Sequence, residues 1–135
     1  MKTLLLPVAF AAVLALAACS STEPVKSAAE NGLRGELEAV GEVVSFKAVK
    51  SEERELPGGK ALVLTFESEV KWLTLEEALA KTSGPAGAQA YLDKLDYVST
   101  RLNGAAKAGN RQVMTGALLL AKSDIGWQYK GLVSE

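Results

Sequence analysis

The sequence predicts an α+β domain: a curved antiparallel sheet of two hairpins, about four strands, packed against one or more helices and following a cleaved leader. Three observations carry this. Leu62, Leu64, Phe66, Ser68, Val70 and Trp72 alternate with Thr65, Glu67, Glu69 and Lys71, which is the period of a half-buried strand. Pro57-Gly58-Gly59 just before them is a turn signal, so the run from Val43 to Leu56 pairs with the run from Lys60 to Leu73. Tyr91, Leu92, Leu95, Val98 and Leu102 then recur at three- and four-residue steps, the spacing of one helix face.

In chain order, the leader comes first. Of the first 18 residues 15 are apolar, and Lys2 is the one charge. The apolar stretch Leu4 to Ala18, interrupted only by Pro7, has the length of a secretory core; a spanning helix needs about 20 residues. Neutral Ser20, Ser21 and Thr22 follow, not a stop-transfer flank. The leader is therefore read as residues 1–18 and a tether as 19–27, with Pro24 in small polar surroundings. A single domain fills 28–135.

Within that domain Leu33, Leu37 and Val40 keep helical spacing from Ala28 to Val40. Gly32 and Gly35 each cost such a helix about 1 kcal/mol relative to alanine. The first hairpin follows. Thr74-Leu75-Glu76-Glu77 is a capping box: the threonine accepts from an early N–H and the glutamate reaches back, so a helix runs to about Lys81. Ser83-Gly84-Pro85 breaks it, and a second helix spans Ala86 to Leu102 with Asn103-Gly104 as its stop. Arg111 to Lys122 is a strand with apolar residues on both faces: Met114, Leu118 and Leu120 on one, Val113, Ala117 and Leu119 on the other. That places it inside the sheet. Ser123 to Gly126 turns the chain into a last strand carrying Trp127 and Tyr129 on one side.

Composition excludes several chemistries. The 135-residue chain has no histidine and one cysteine. It therefore has no histidine-based triad, no His–Cys zinc site and no intramolecular disulfide. A net charge of −1 argues against a nucleic-acid surface. No phosphate-binding glycine loop and no Asp-x-Asp-x-Asp cation loop is present, and no metal or cofactor is expected. Ser68 and Lys71 have Ser-x-x-Lys spacing, but on a strand an odd offset sends the two side chains to opposite faces. Glu67 and Glu69 beside Lys71 read as a wet sheet face with cross-strand ion pairs. Glu52, Glu53 and Glu55 around Arg54 read as a solvated hairpin end, and Asp93 and Asp96 as a solvated helix face. Trp72, Trp127 and Tyr129, the large aromatics on strands, are the candidate wall of a small apolar pocket, with core packing as the competing role. No position places a carboxylate in apolar surroundings, so no catalytic residue and no enzymatic activity is expected.

Two resemblances add to this reading. Leu16-Ala17-Ala18-Cys19 resembles the lipobox of bacterial lipoproteins, over about the first 22 residues and at all four box positions. The resemblance implies that Cys19 is alkylated with diacylglycerol, that the chain is then cleaved just before it, and that the freed amine is usually acylated. The partner is thus membrane lipid, joined through Cys19, and the domain lies outside the cytoplasm on the cell envelope. In didermic members an aspartate after the cysteine favours inner-membrane retention, so Ser20 points to the outer membrane. The hairpin–helices–hairpin order is similar to the cystatin-like or nuclear-transport-factor-like superfamily. The run from Thr115 to Trp127 is similar to the final hairpin of small uncharacterised bacterial secreted domains. Those likenesses imply a scaffold: a non-enzymatic binding or envelope-assembly module with an envelope protein as partner. The alternative is a ligand carrier or enzyme using a cleft between the sheet and the helix at Ala86–Leu102.

Overall fold

The computed structural model describes residues 24–81 and 85–134. The leader, the lipobox and Cys19 lie outside the described residues, as does most of the Ser83-Gly84-Pro85 break. The elements are helix α1 (24–37), strand β1 (Gly41–Leu56), strand β2 (Gly59–Trp72), helix α2 (Leu75–Lys81), helix α3 (Pro85–Arg101), strand β3 (Arg111–Ser123) and strand β4 (Gly126–Val133). This is an α+β fold. Its open sheet is antiparallel throughout in the order β1-β2-β3-β4. The strand with two apolar faces, β3, lies inside it.

One face of the sheet holds the core. Leu62, Leu64, Phe66, Val70 and Trp72 of β2 are buried there with Met114, Leu118 and Leu120 of β3 and Leu132 of β4. The register explains the set, because Ser68 faces Met114, Leu64 faces Leu118 and Leu62 faces Leu120. The one buried polar residue on this face, Ser68, donates to the Ser45 carbonyl at 2.6 Å, which removes the cost of burying its hydroxyl. Two irregularities in β1, between Val43 and Ser45 and between Ala48 and Lys50, leave Val44 and Val49 unmatched. Such bulges bend a strand and re-aim its side chains.

The helices cover that face. Tyr91, Val98 and Leu102 enter the core with Leu95 partly buried beside them, whereas Leu92 falls outside the stripe and is exposed. At about 100° per residue, a position adjacent to Tyr91 points away from a face set by 91, 95, 98 and 102. The capping box forms as the spacing predicts: the Thr74 N–H donates to Glu77 Oε1 at 3.0 Å and the Glu77 N–H to Thr74 Oγ1 at 3.2 Å. Just past the end of α3, Gly104 takes φ 107°, a left-handed conformation suited to a residue without Cβ.

The start of the domain differs from the expected boundary. The described helix begins at 24, not 28, and Val25 is only 5% exposed. Pro24 signalled a tether by composition, yet proline is well tolerated in the first turn of a helix, where its missing N–H leaves no bond unmade. Val25, Ala29, Leu33 and Leu37 make one buried stripe, so the 24–27 segment contributes Val25 to the core while Pro24, Lys26 and Ser27 stay exposed.

Candidate functional site

The three strand aromatics occupy different places. Trp72 ends β2 and is 0% exposed. Its Nε1–H has no acceptor among the described residues. Trp127 sits opposite Lys122 near the start of β4, whereas Lys71, next to Trp72, sits opposite Arg111 at the far end of β3. The structure therefore puts Trp72 at one end of the sheet and Trp127 at the other. Eleven strand residues separate Arg111 from Lys122, about 36 Å. Tyr129 lies opposite Leu120, on the core face. Lys122 approaches the Trp127 ring, 5.8 Å from its centroid.

Tyr129 belongs instead to a polar seam between α1, α3 and β4. Its hydroxyl donates to Glu36 Oε1 at 2.7 Å, and Lys94 Nζ donates to Glu36 Oε2. The Glu36 side chain is 12% exposed. Burial alone pushes its carboxyl up; the bonds from Lys94 and Tyr129, with the charges of Lys94 and Arg101, outweigh that and hold it below the ordinary carboxylate range. The Tyr129 hydroxyl is pushed well above its ordinary value, first by burial and then by the adjacent carboxylate. Tyr97 completes the seam: the Arg101 guanidinium stacks 3.9 Å and the Lys94 ammonium 5.0 Å from its ring centroid.

No local motif announces this seam. Glu36 and Tyr129 are 93 residues apart and Glu36 and Lys94 are 58 apart. The one usable signal was a charged residue between Leu33 and Leu37 on the apolar side of a helix. Gly32 is the other part of the arrangement. A Cβ there would lie 2.2 Å from Tyr129 Cγ, so the ring crosses α1 over a missing side chain.

Two of the hollows that adjoin α1 bear on the expected cleft and on the first turn of the helix. One, of 340 Å³, lies between the three helices; Glu36, Ala39, Ala78, Gly87, Tyr91 and Lys94 help to line it. It is the structural counterpart of the expected cleft, but it is interhelical: the sheet beneath α3 is filled by Phe66, Met114 and Leu102. The other is an open groove of 390 Å³ between the first turn of α1 and the bulged part of β1, with Leu62 and Leu64 at its floor.

The remaining charged groups occupy solvated positions. Glu69 pairs with Arg111 at 3.6 Å across the sheet face that Glu67 shares. Arg54 pairs with Glu52 at 3.4 Å on the exposed hairpin end. Gln89 donates to Asp93 at 2.7 Å along α3. Ser68 and Lys71 point to opposite faces, Ser68 into the core. Among the described residues, no group of three metal-ligating side chains converges, and no helix is long and apolar enough to cross a membrane. Comparison of the chain with protein-family models, curated proteins and solved structures finds no match.

Proposed function

We propose that the chain is a bacterial envelope lipoprotein whose α+β domain is a non-enzymatic binding or assembly module, held outside the cytoplasm by lipid on Cys19. The observation that carries the reading is Leu16-Ala17-Ala18-Cys19 at the end of a 15-residue apolar stretch, with the chain's one cysteine in the modified position. The described part of α1 adds to it, because helix reaches back to 24, five positions after that cysteine. Two acyl chains on the thioether, and a third on the amine, hold a protein far more firmly than the marginal binding of one chain. In an envelope with two membranes Ser20 favours the outer membrane over the inner one, and the partner is an envelope protein.

The non-enzymatic part is supported by the seam. General acid–base work uses a group whose pKa is moved towards the working pH. The Glu36 carboxyl is moved down and the Tyr129 hydroxyl up, so both move away from neutrality. A second reading, a small-ligand carrier, is favoured by the interhelical cleft with Glu36 and Lys94 in its wall. Ala90→Trp, which fills that cleft, separates the two: it abolishes ligand uptake by a carrier and leaves the assembly role intact.

The anchor is tested by growing cells with labelled palmitate. Wild type takes up label and partitions to membranes, and Cys19→Ser does neither. Label on the serine variant at the wild-type level would overturn the assignment.

A further inference from the structure

We infer that the groove between the first turn of α1 and the bulged part of β1 is the face that this domain lays on an anionic phospholipid surface. The inference rests on the lipid-anchor reading and adds an orientation to it. Its first support is reach. Pro24, the first described residue of α1, lies five positions after Cys19, a span of at most about 17 Å when fully extended. Val25 and Lys26, in the first turn of that helix, are themselves part of the groove wall. Any lipid on Cys19 therefore brings this edge of the domain to the bilayer before any other.

The second support is the chemistry of the groove. Phe46, Ala48, Leu62 and Leu64 give it an apolar floor. Val49, left unmatched by the bulge, stands at its rim 57% exposed. An aliphatic side chain held out by a bulge has nothing to gain in water, and it gains area on entering the headgroup–acyl boundary.

Charge is the third. Lys26, Lys47 and Lys50 border the groove, and none of them makes an ion pair among the described residues. The nearby acids are mostly engaged elsewhere: Glu30 by Arg34 at 2.9 Å and Glu52 by Arg54 at 3.4 Å. Lys47 and Lys50 stand opposite Glu67 and Thr65 in the strand register, so they flank the groove from the solvated side of the β1 edge, and Lys47 closes no pair with Glu67. Lysines beside an apolar groove on the anchored edge suit lipid phosphates, since basic residues close to an anionic leaflet each add to binding and are screened by salt. On a chain with a net charge of −1, a local excess of cation at this edge is an orienting feature.

The test uses the full lipidated chain. Because Cys19 is acylated, Val49→Cys supplies a single free thiol for an environment-sensitive fluorophore, and Val113→Cys, 63% exposed on β3, supplies the control. The proteins are reconstituted into vesicles of equal parts phosphatidylglycerol and phosphatidylethanolamine, or of phosphatidylcholine alone. The expected result is a blue shift and intensity gain at position 49 in the anionic vesicles only. High salt or the triple change Lys26→Glu, Lys47→Glu, Lys50→Glu should reverse it, and position 113 should stay unchanged. An equal response in both vesicle types, no response in either, or the same response at position 113 overturns the proposal. Palmitate on the labelled chain is measured in parallel. Its absence overturns the anchor and the docking geometry together, while palmitate with a silent position 49 overturns the groove alone.

Discussion

Gly32 and Gly35 stand one turn apart on α1 and carry opposite requirements. Sequence alone charges both with the same helix penalty, about 1 kcal/mol each. In the structure a Cβ at position 35 meets nothing within 4 Å, whereas one at position 32 meets the Tyr129 ring at 2.2 Å. Gly35→Ala should therefore stabilise the domain by about 0.5–1 kcal/mol through helix propensity and lost unfolded-chain freedom. Gly32→Ala should destabilise it by about 1–3 kcal/mol, because the atoms it strikes are at the root of a partly buried side chain packed against the core and cannot swing away. Denaturant melts of the two variants should move in opposite directions; equal gains would show that Tyr129 does not cross α1 at that point.

The seam's carboxylate gives a second consequence at this scale. Glu36 in the folded domain holds its proton less tightly than an ordinary carboxyl, whose value is near 4.5. Its contribution to stability is full above that unfolded value and is lost as pH falls through the lower folded one. Wild type should thus lose stability on acidification from just above pH 4.5 downwards. Glu36→Gln should be less stable at neutral pH and show a shallower acid dependence over the same window. Parallel wild-type and mutant slopes would mean that Lys94 and Tyr129 do not favour the ionised form.

At the scale of elements, what was legible was local. The β1–β2 turn, the alternation of β2 and the box at Thr74 depend on residues within a few positions of each other. All three appear where the spacing puts them. Thr74→Ala removes the acceptor for the Glu77 N–H and should cost about 0.5–2 kcal/mol, read as a drop of several degrees in Tm. An unchanged Tm would show that α2 is held by Ala78 packing alone. What was not legible depends on tertiary neighbours. Leu92 is as apolar as Leu95, and their difference in burial is set by which face of α3 meets the sheet. Pro24 reads alike in a tether and in the first turn of a helix; Val25 finding the core decides it. The pairing of Trp72 with Trp127 as one pocket wall fails to form because two strands that share a residue type need not share an end.

For the whole molecule, the described residues make one core on one sheet face, closed by α1 and α3 and pinned by the Glu36–Lys94–Tyr129 seam. The described part of that core's first helix reaches back to Pro24, five positions after Cys19, so the proposed anchor and the fold have little chain between them. With lipid on Cys19, as proposed, such a domain would not sample a wide zone above the membrane, which suits a module acting on partners or lipid at the surface itself. The most direct measurement is mass spectrometry of the mature N-terminal peptide, isolated from the membranes of cells expressing the full chain. The account predicts a peptide that begins at Cys19 and carries diacylglycerol on its sulfur. A mature chain that begins elsewhere, or an unmodified Cys19 within a longer peptide, would contradict it.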